Sequence, residues 1–170
     1  MNDKILFSET QRFRQWWLWA ILLPVDGLFL YGVYIQVIRG EQFGTKPGSD
    51  ALLLITTGLI LLISVLILNF RLDSQIREDG IYFRFFPIHL SFRHYTWDQT
   101  DKSFVRQYSA IMEYGGWGLR FGTFGKGRAY NVSGNQGIQV ILTTGKRVLI
   151  GTKKPDEAKD ALRKAGHLDE

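Results

Sequence analysis

Residues 51–86 read ALLLITTGLILLISVLILNFRLDSQIREDGIYFRFF, and the fold turns on the change of pattern inside this stretch. Its first twenty residues, 51–70, carry no charged side chain. At ~1.5 Å rise per residue, a helix of that length covers about 30 Å, the thickness of the hydrocarbon core of a bilayer. From Arg71 the continuous apolar run gives way to alternation. Leu72, Ser74 and Ile76 lead into Asp79-Gly80, a strong hairpin signal. Ile81, Phe83 and Phe85 then alternate with Tyr82, Arg84 and Phe86 until Pro87 ends the strand. A membrane-spanning helix is therefore expected to pass directly into a β-rich domain.

A second apolar segment lies upstream, at residues 17–38, WLWAILLPVDGLFLYGVYIQVI. It is long enough to span, and Pro24, Asp26 and Gly27 interrupt it. Proline removes a backbone donor and commonly kinks a helix. A carboxylate in the bilayer costs several kcal/mol unless it is protonated, hydrated or paired. Asp26 is accordingly a candidate intramembrane site for a proton, an ion or a partner helix. The structural alternative is a carboxylate shallow enough to reach water, or protonated in a helix–helix hydrogen bond. In the later span, Thr56, Thr57 and Ser64 are expected to bond back to their own helix carbonyls. Trp16, Trp17 and Trp19 at one end of the first span, and Tyr31 and Tyr34 at the other, match interfacial aromatic belts. The apolar run is too long for a signal peptide and lacks a small-residue cleavage site.

Lys4, Arg12 and Arg14 precede the first span, and Arg71, Arg77, Arg84 and Arg93 follow the second. The connecting loop holds only Arg39 and Lys46, offset by Glu41 and Asp50. The basic bias predicts a multi-pass protein of the cell membrane with both termini cytoplasmic and the short loop outside. The expected division is 1–70 for the N-terminal flank and two spans, and 71–170 for a cytoplasmic domain.

The rest of the chain reads as short strands and one helix. Residues 88–95, IHLSFRHY, alternate, and Trp97 begins an extended stretch running through Phe104, Val105 and Tyr108. Short strands are expected at Leu119–Phe121 and Arg128–Val132. Gly137–Leu142 should pair with Arg147–Ile150 across Thr144-Gly145. Pro155 fits the first position of a terminal helix, with Asp156 and Glu157 at its positive end. Ala158, Ala161, Leu162 and Ala165 form one apolar stripe, and Gly166 fits the stop. The fold class is thus α+β: a transmembrane hairpin, about seven strands in a small antiparallel barrel or sandwich, and a closing C-terminal helix.

The pattern of two hydrophobic helices, then GIYFRFFPI, a Trp97-centred strand, a final hairpin and a helix resembles the pleckstrin-homology superfold of bacterial membrane proteins. FRQWWLW, the GGWGLRFG and GKGRAYNVSGN blocks, and KRVLIGTKKPDE look like a family of uncharacterised two-helix proteins that carry such a domain. The resemblance covers nearly the whole chain and implies a binding platform, with no activity attached.

Composition removes some chemistry. There are no cysteines, so thiolate catalysis and Cys-based metal sites are excluded. From Arg71 onward 16 Lys and Arg face 11 Asp and Glu, which places the whole +5 excess in the C-terminal domain. A basic domain held at a membrane is drawn to anionic headgroups, although the same bias also serves topology alone. GTFGKGR at 122–128 fails the phosphate-loop spacing, because Arg120 stands where the first Gly belongs. His89 and His94 are not spaced as metal ligands. No catalytic residue, cofactor or metal site is expected, and no nucleic-acid motif is present.

The best surface candidate is 113–135, EYGGWGLRFGTFGKGRAYNVSGN. Trp117, Arg120, Lys126, Arg128, Tyr130 and Asn131 lie there among glycines that permit close backbone approach. The alternative is that these glycines serve tight turns, with Trp117 and Phe124 packed inside. A further basic cluster, Lys146, Arg147, Lys153 and Lys154, could meet lipid phosphates or be a solvated surface. The expectation is a non-enzymatic membrane-anchored module that engages a membrane-protein partner or anionic lipid. The alternatives are a transport or sensing accessory acting through Asp26, and an unrecognised enzyme.

Overall fold

The computed structural model describes residues 4–122 and 125–169. The chain divides into two compact units. One is helical and runs from Arg14 to Asn69; the other combines the residues up to Phe13 with those from Phe70 onward.

The helical unit contains α1 (Trp16–Val33), which continues through Pro24 and closes in a wider π-helical turn at Tyr34–Ile38, and α2 (Asp50–Asn69). Both are long and apolar enough to cross a membrane, and only 11% of each apolar window is buried inside the molecule. Leu23, Ile55, Leu59 and Ile63 point outward. The buried positions are few: Gly32 on α1 and Ile35 in its closing turn, and Thr57 and Ser64 on α2. Thr57 and Ser64 are seven residues apart, one face of a helix. Thr56 and Thr57 donate to the carbonyls of Leu52 and Leu53, as expected of hydroxyls in an apolar helix. Ser64 departs from that expectation and donates instead to Asp26 at 3.0 Å. In the connecting loop, Phe43 covers Gly32 so closely that a Cβ there would meet its ring at 2.7 Å.

Among the described residues the β unit holds nine strands in two sheets. The first sheet has the order β1 (Ile5–Arg12), β2 (Arg71–Arg77), β3 (Gly80–Phe86), β4 (Arg93–Thr96), all antiparallel. The second runs β5 (Thr100–Gln107), β8 (Gln136–Leu142), β9 (Arg147–Thr152), β7 (Arg128–Asn131), β6 (Gly118–Phe121). It is antiparallel except for β7 beside β9, which run parallel. A short helix α3 (Ala110–Tyr114) follows β5, and α4 (Pro155–Lys164) ends the fold.

Sheets and helix share one core. Leu72, Ile76, Ile81, Phe83 and Phe85 from the first sheet meet Tyr130, Ile138, Val140 and Ile150 from the second, with Ala158, Ala161 and Leu162 of α4. Each Leu, Ile, Val and Phe among them stabilises by roughly 1.5–3 kcal/mol on burial. α4 behaves as its sequence predicts: Pro155 at the start, acidic residues in the first turn, and Gly166 just beyond the end in the left-handed region.

Several expectations are corrected. Of the expected antiparallel barrel or sandwich, the structure has two sheets and no closed barrel, and the β7–β9 pair is parallel rather than antiparallel. Ile5–Arg12 of the N-terminal flank form a strand, so the β unit draws on residues from both sides of the expected division at residue 70. Of residues 88–95 only Arg93–Tyr95 are in a strand, and Trp97–Gln99 form a 3-10 turn. The β2–β3 turn is Glu78-Asp79, one residue earlier than expected. Gly80 opens β3, opposite Thr96 of β4, and a Cβ there would strike the Tyr95 carbonyl.

Candidate binding groove

On the second sheet alternate residues separate two faces. Tyr130, Ile138, Val140, Val148 and Ile150 point into the shared core. Ala129 and Leu149 point the other way and pack with Tyr108, Ala110 and Tyr114. The segment carrying α3 therefore caps part of the outer face. Ser109 accepts from the Met112 amide at its start, and Gly115 adopts φ 70° at its end. This small cluster leaves a concavity of about 260 Å³ beside it.

Phe104 and Arg106 of β5, and Gln139 and Ile141 of β8, form the floor; Glu113, Lys126 and Arg147 form the walls. The polar members are tied together. Arg106 donates to Glu113 at 3.0 Å and to the Gln139 side-chain oxygen at 3.0 Å. Lys126 lies 3.3 Å from the same carboxylate. Burial would push Glu113 up, but hydrogen bonds from Arg106, the Ser109 amide and Lys126 outweigh it and hold Glu113 at about 2. It is ionised throughout the physiological range. Two cations, Arg106 and Lys126, thus hold one carboxylate, and Arg147 lines the same groove. Arg147 is exposed, and its side chain has no hydrogen-bond or ion-pair partner among the described residues. The groove suits an acidic group approached by Arg147 and Lys126, with Phe104 and Ile141 offering apolar contact.

Gly127 makes this placement possible. It adopts φ 81°, and any Cβ would overlap the Arg147 carbonyl, so the chain passes Lys126 close beside β9.

The six surface residues expected from sequence do not form one patch. Tyr130 is 1% exposed and packs its ring 4.7 Å from Phe83, so it belongs to the core. Asn131 is fully buried, and its side-chain oxygen accepts from the Gly118 amide at 2.8 Å, tying β6 to β7. Neighbouring strand residues face opposite ways, so these two could never have shared a surface. Arg128 lies over the Phe121 ring at 5.2 Å, on the Tyr130 face. Arg120 turns back to the Trp117 carbonyl at 3.0 Å. Trp117 is half-buried against the α3 cluster and donates to the Gly134 carbonyl at 3.2 Å. Lys126 alone reaches the groove. Phe124 lies outside the described residues. Of the second basic cluster, Arg147 enters the groove, while Lys154 pairs with Glu157 at 2.9 Å.

His94 stacks on Tyr82 at 3.9 Å, and His89 packs against Phe83 and Tyr130. Among the described residues no three His, Asp or Glu side chains converge to hold a metal ion. Comparison of the chain with family models, with curated proteins and with solved structures finds no match.

Proposed function

We propose that this protein is a non-enzymatic binding module anchored in a membrane by a two-helix hairpin, with its β unit engaging an acidic partner at the membrane surface. One observation carries the reading. β1 and β2 are neighbouring strands in register from Phe7↔Ile76 to Arg12↔Arg71, and the whole apolar hairpin is inserted between them. Only residues 13–15 separate β1 from α1, and only Phe70 separates α2 from β2. Strands that pair must lie on one side of a bilayer. An even number of spans between them satisfies that condition, and two helices supply it.

Energetics support insertion. α1 holds nine Leu, Ile, Val and Phe residues. At ~0.3–0.6 kcal/mol each they contribute ~3–5 kcal/mol, against a cost of ~3 kcal/mol for Asp26. The bond from Ser64 lowers that cost further and gives Asp26 a structural role as a helix–helix contact. The basic flanks favour a cytoplasmic β unit. The pleckstrin-homology likeness and the bacterial setting it implies fit a two-sheet domain closed by a helix, and belong to the same proposal.

The test is in-cell crosslinking of the tagged full chain, followed by mass spectrometry, beside a variant carrying Lys126→Glu and Arg147→Glu. Enrichment of one membrane protein that disappears in the variant supports the reading. An unchanged profile in the variant rules out the groove as the contact surface.

A further inference from the structure

The loop joining β3 to β4, residues 87–92, has its apolar side chains arranged the wrong way round for a soluble turn. His89 is the residue pointing inward: it is 8% exposed and packs its ring against Phe83 and Tyr130. Its amide also closes the turn onto the Phe85 carbonyl at 2.8 Å. Ile88 and Leu90, on either side of it, are pushed outward and are 50% and 77% exposed. A histidine buried so that two aliphatic side chains face out indicates a surface that the fold itself does not cover.

The loop's position within the β unit supplies the occupant. Phe86, the last residue of β3, pairs with Arg71, and Arg71 pairs with Arg12. Arg12 and Arg71 are the strand residues at which the chain leaves for, and returns from, the apolar helices. The loop therefore projects from the one end of the first sheet that is covalently joined to both spans. Cations line the same end. Arg71 lies over Phe86 at 5.1 Å and Arg84 over Phe92 at 4.7 Å, and Arg93 and Arg128 are exposed near His89. Asp73 partly offsets Arg71 and Arg84. Two outward aliphatics on a loop flanked by arginines match the boundary between acyl chains and anionic headgroups.

We propose that residues 87–92 form a third membrane contact, in which Ile88 and Leu90 enter the interfacial layer and the surrounding arginines meet anionic headgroups. The inference rests on the anchored reading above. Such a contact would fix the tilt of the β unit against the bilayer.

The chain has no cysteine, so single cysteines can be labelled with an environment-sensitive fluorophore at chosen positions. Leu90→Cys, Leu59→Cys and Thr144→Cys are each placed in the full chain and reconstituted into vesicles of phosphatidylcholine with phosphatidylglycerol. Quenching is read with spin-labelled lipids. Thr144 is an exposed residue of the β8–β9 turn and serves as the water reference. The proposal expects quenching at Leu90 at least about twofold above Thr144, deepest for labels near the headgroups, and reduced in vesicles lacking the anionic lipid. Strong quenching at Leu59 with none at Leu90 overturns the loop contact and leaves the anchor standing. No quenching at Leu59 overturns the anchor itself. A shielded but unquenched Leu90 label means that protein covers the loop, and this also overturns the proposal.

Discussion

Gly80 tolerates no side chain, because the Tyr95 carbonyl and the His94 ring occupy the space that a Cβ needs. Gly80→Val should therefore cost about 2 kcal/mol or more, read as a lower unfolding midpoint of the full chain in detergent. Glu113 gives a pH signature. Its folded value of about 2 lies below its ordinary 4.5, so its contribution is complete above 4.5 and is lost as pH falls towards 2. Glu113→Gln should remove about 1.5–3 kcal/mol near neutrality and flatten the acid limb of the stability curve. His89 titrates in a different window. Burial, then Arg93 and Arg128, lower it from 6.5, so the folded state resists the proton that the unfolded state accepts. Stability should begin to fall as pH drops below 6.5, and His89→Asn should blunt that slope. Asp26→Asn keeps an oxygen that can accept from Ser64. The anchor reading expects normal protein level and partner capture in that variant, whereas a proton- or ion-handling role expects loss of cellular function at unchanged protein level.

At the scale of elements, legibility followed locality. The β8–β9 hairpin, the β2–β3 pair, both apolar helices and α4 announce themselves by period and turn residues within ten or twenty positions. β1 does not, because its inward positions are Phe7, Glu9 and Gln11, and two of these are polar. Their partners are distant in sequence: Glu9 accepts from the Thr152 hydroxyl at 2.6 Å and the Lys153 amide at 3.0 Å, and Gln11 donates to the Gly151 carbonyl at 2.7 Å. A buried carboxylate reads as a solvated one until its donors are known. The parallel pairing of β7 with β9 and the groove are hidden for the same reason. The groove draws on residues 104–147 from several strands, and only the outward register of Arg106, Gln139 and Ile141 hinted at a shared face. The stretch at 88–95 misled because its alternation is real while its polarity is inverted. These ties give β1 a testable weight. Phe7→Ala should cost about 3–5 kcal/mol, and Glu9→Ala about 1–3 kcal/mol by leaving two donors unpaired. Both are measurable as midpoint shifts in denaturant. A neutral result for both would mean that β1 is dispensable to the sheet.

At the scale of the whole molecule, the proposed anchor makes the membrane part of the fold's connectivity. A chain that begins a sheet, leaves for two helices and returns to the adjacent strand cannot complete the β1–β2 ladder unless both ends of the hairpin emerge on one side. The helical unit keeps few buried contacts of its own, and its outward leucines and isoleucines are the surface that the proposed bilayer would solvate. The most direct measurement is sidedness in intact cells, using a membrane-impermeant maleimide on single-cysteine variants of the otherwise cysteine-free chain. The account predicts that Thr45→Cys, in the loop between the helices, is labelled from outside. Lys4→Cys and Thr144→Cys should both stay protected until the membrane is opened. Labelling of Lys4→Cys and Thr144→Cys from opposite sides, or recovery of the protein in the soluble fraction after alkaline extraction, would contradict it.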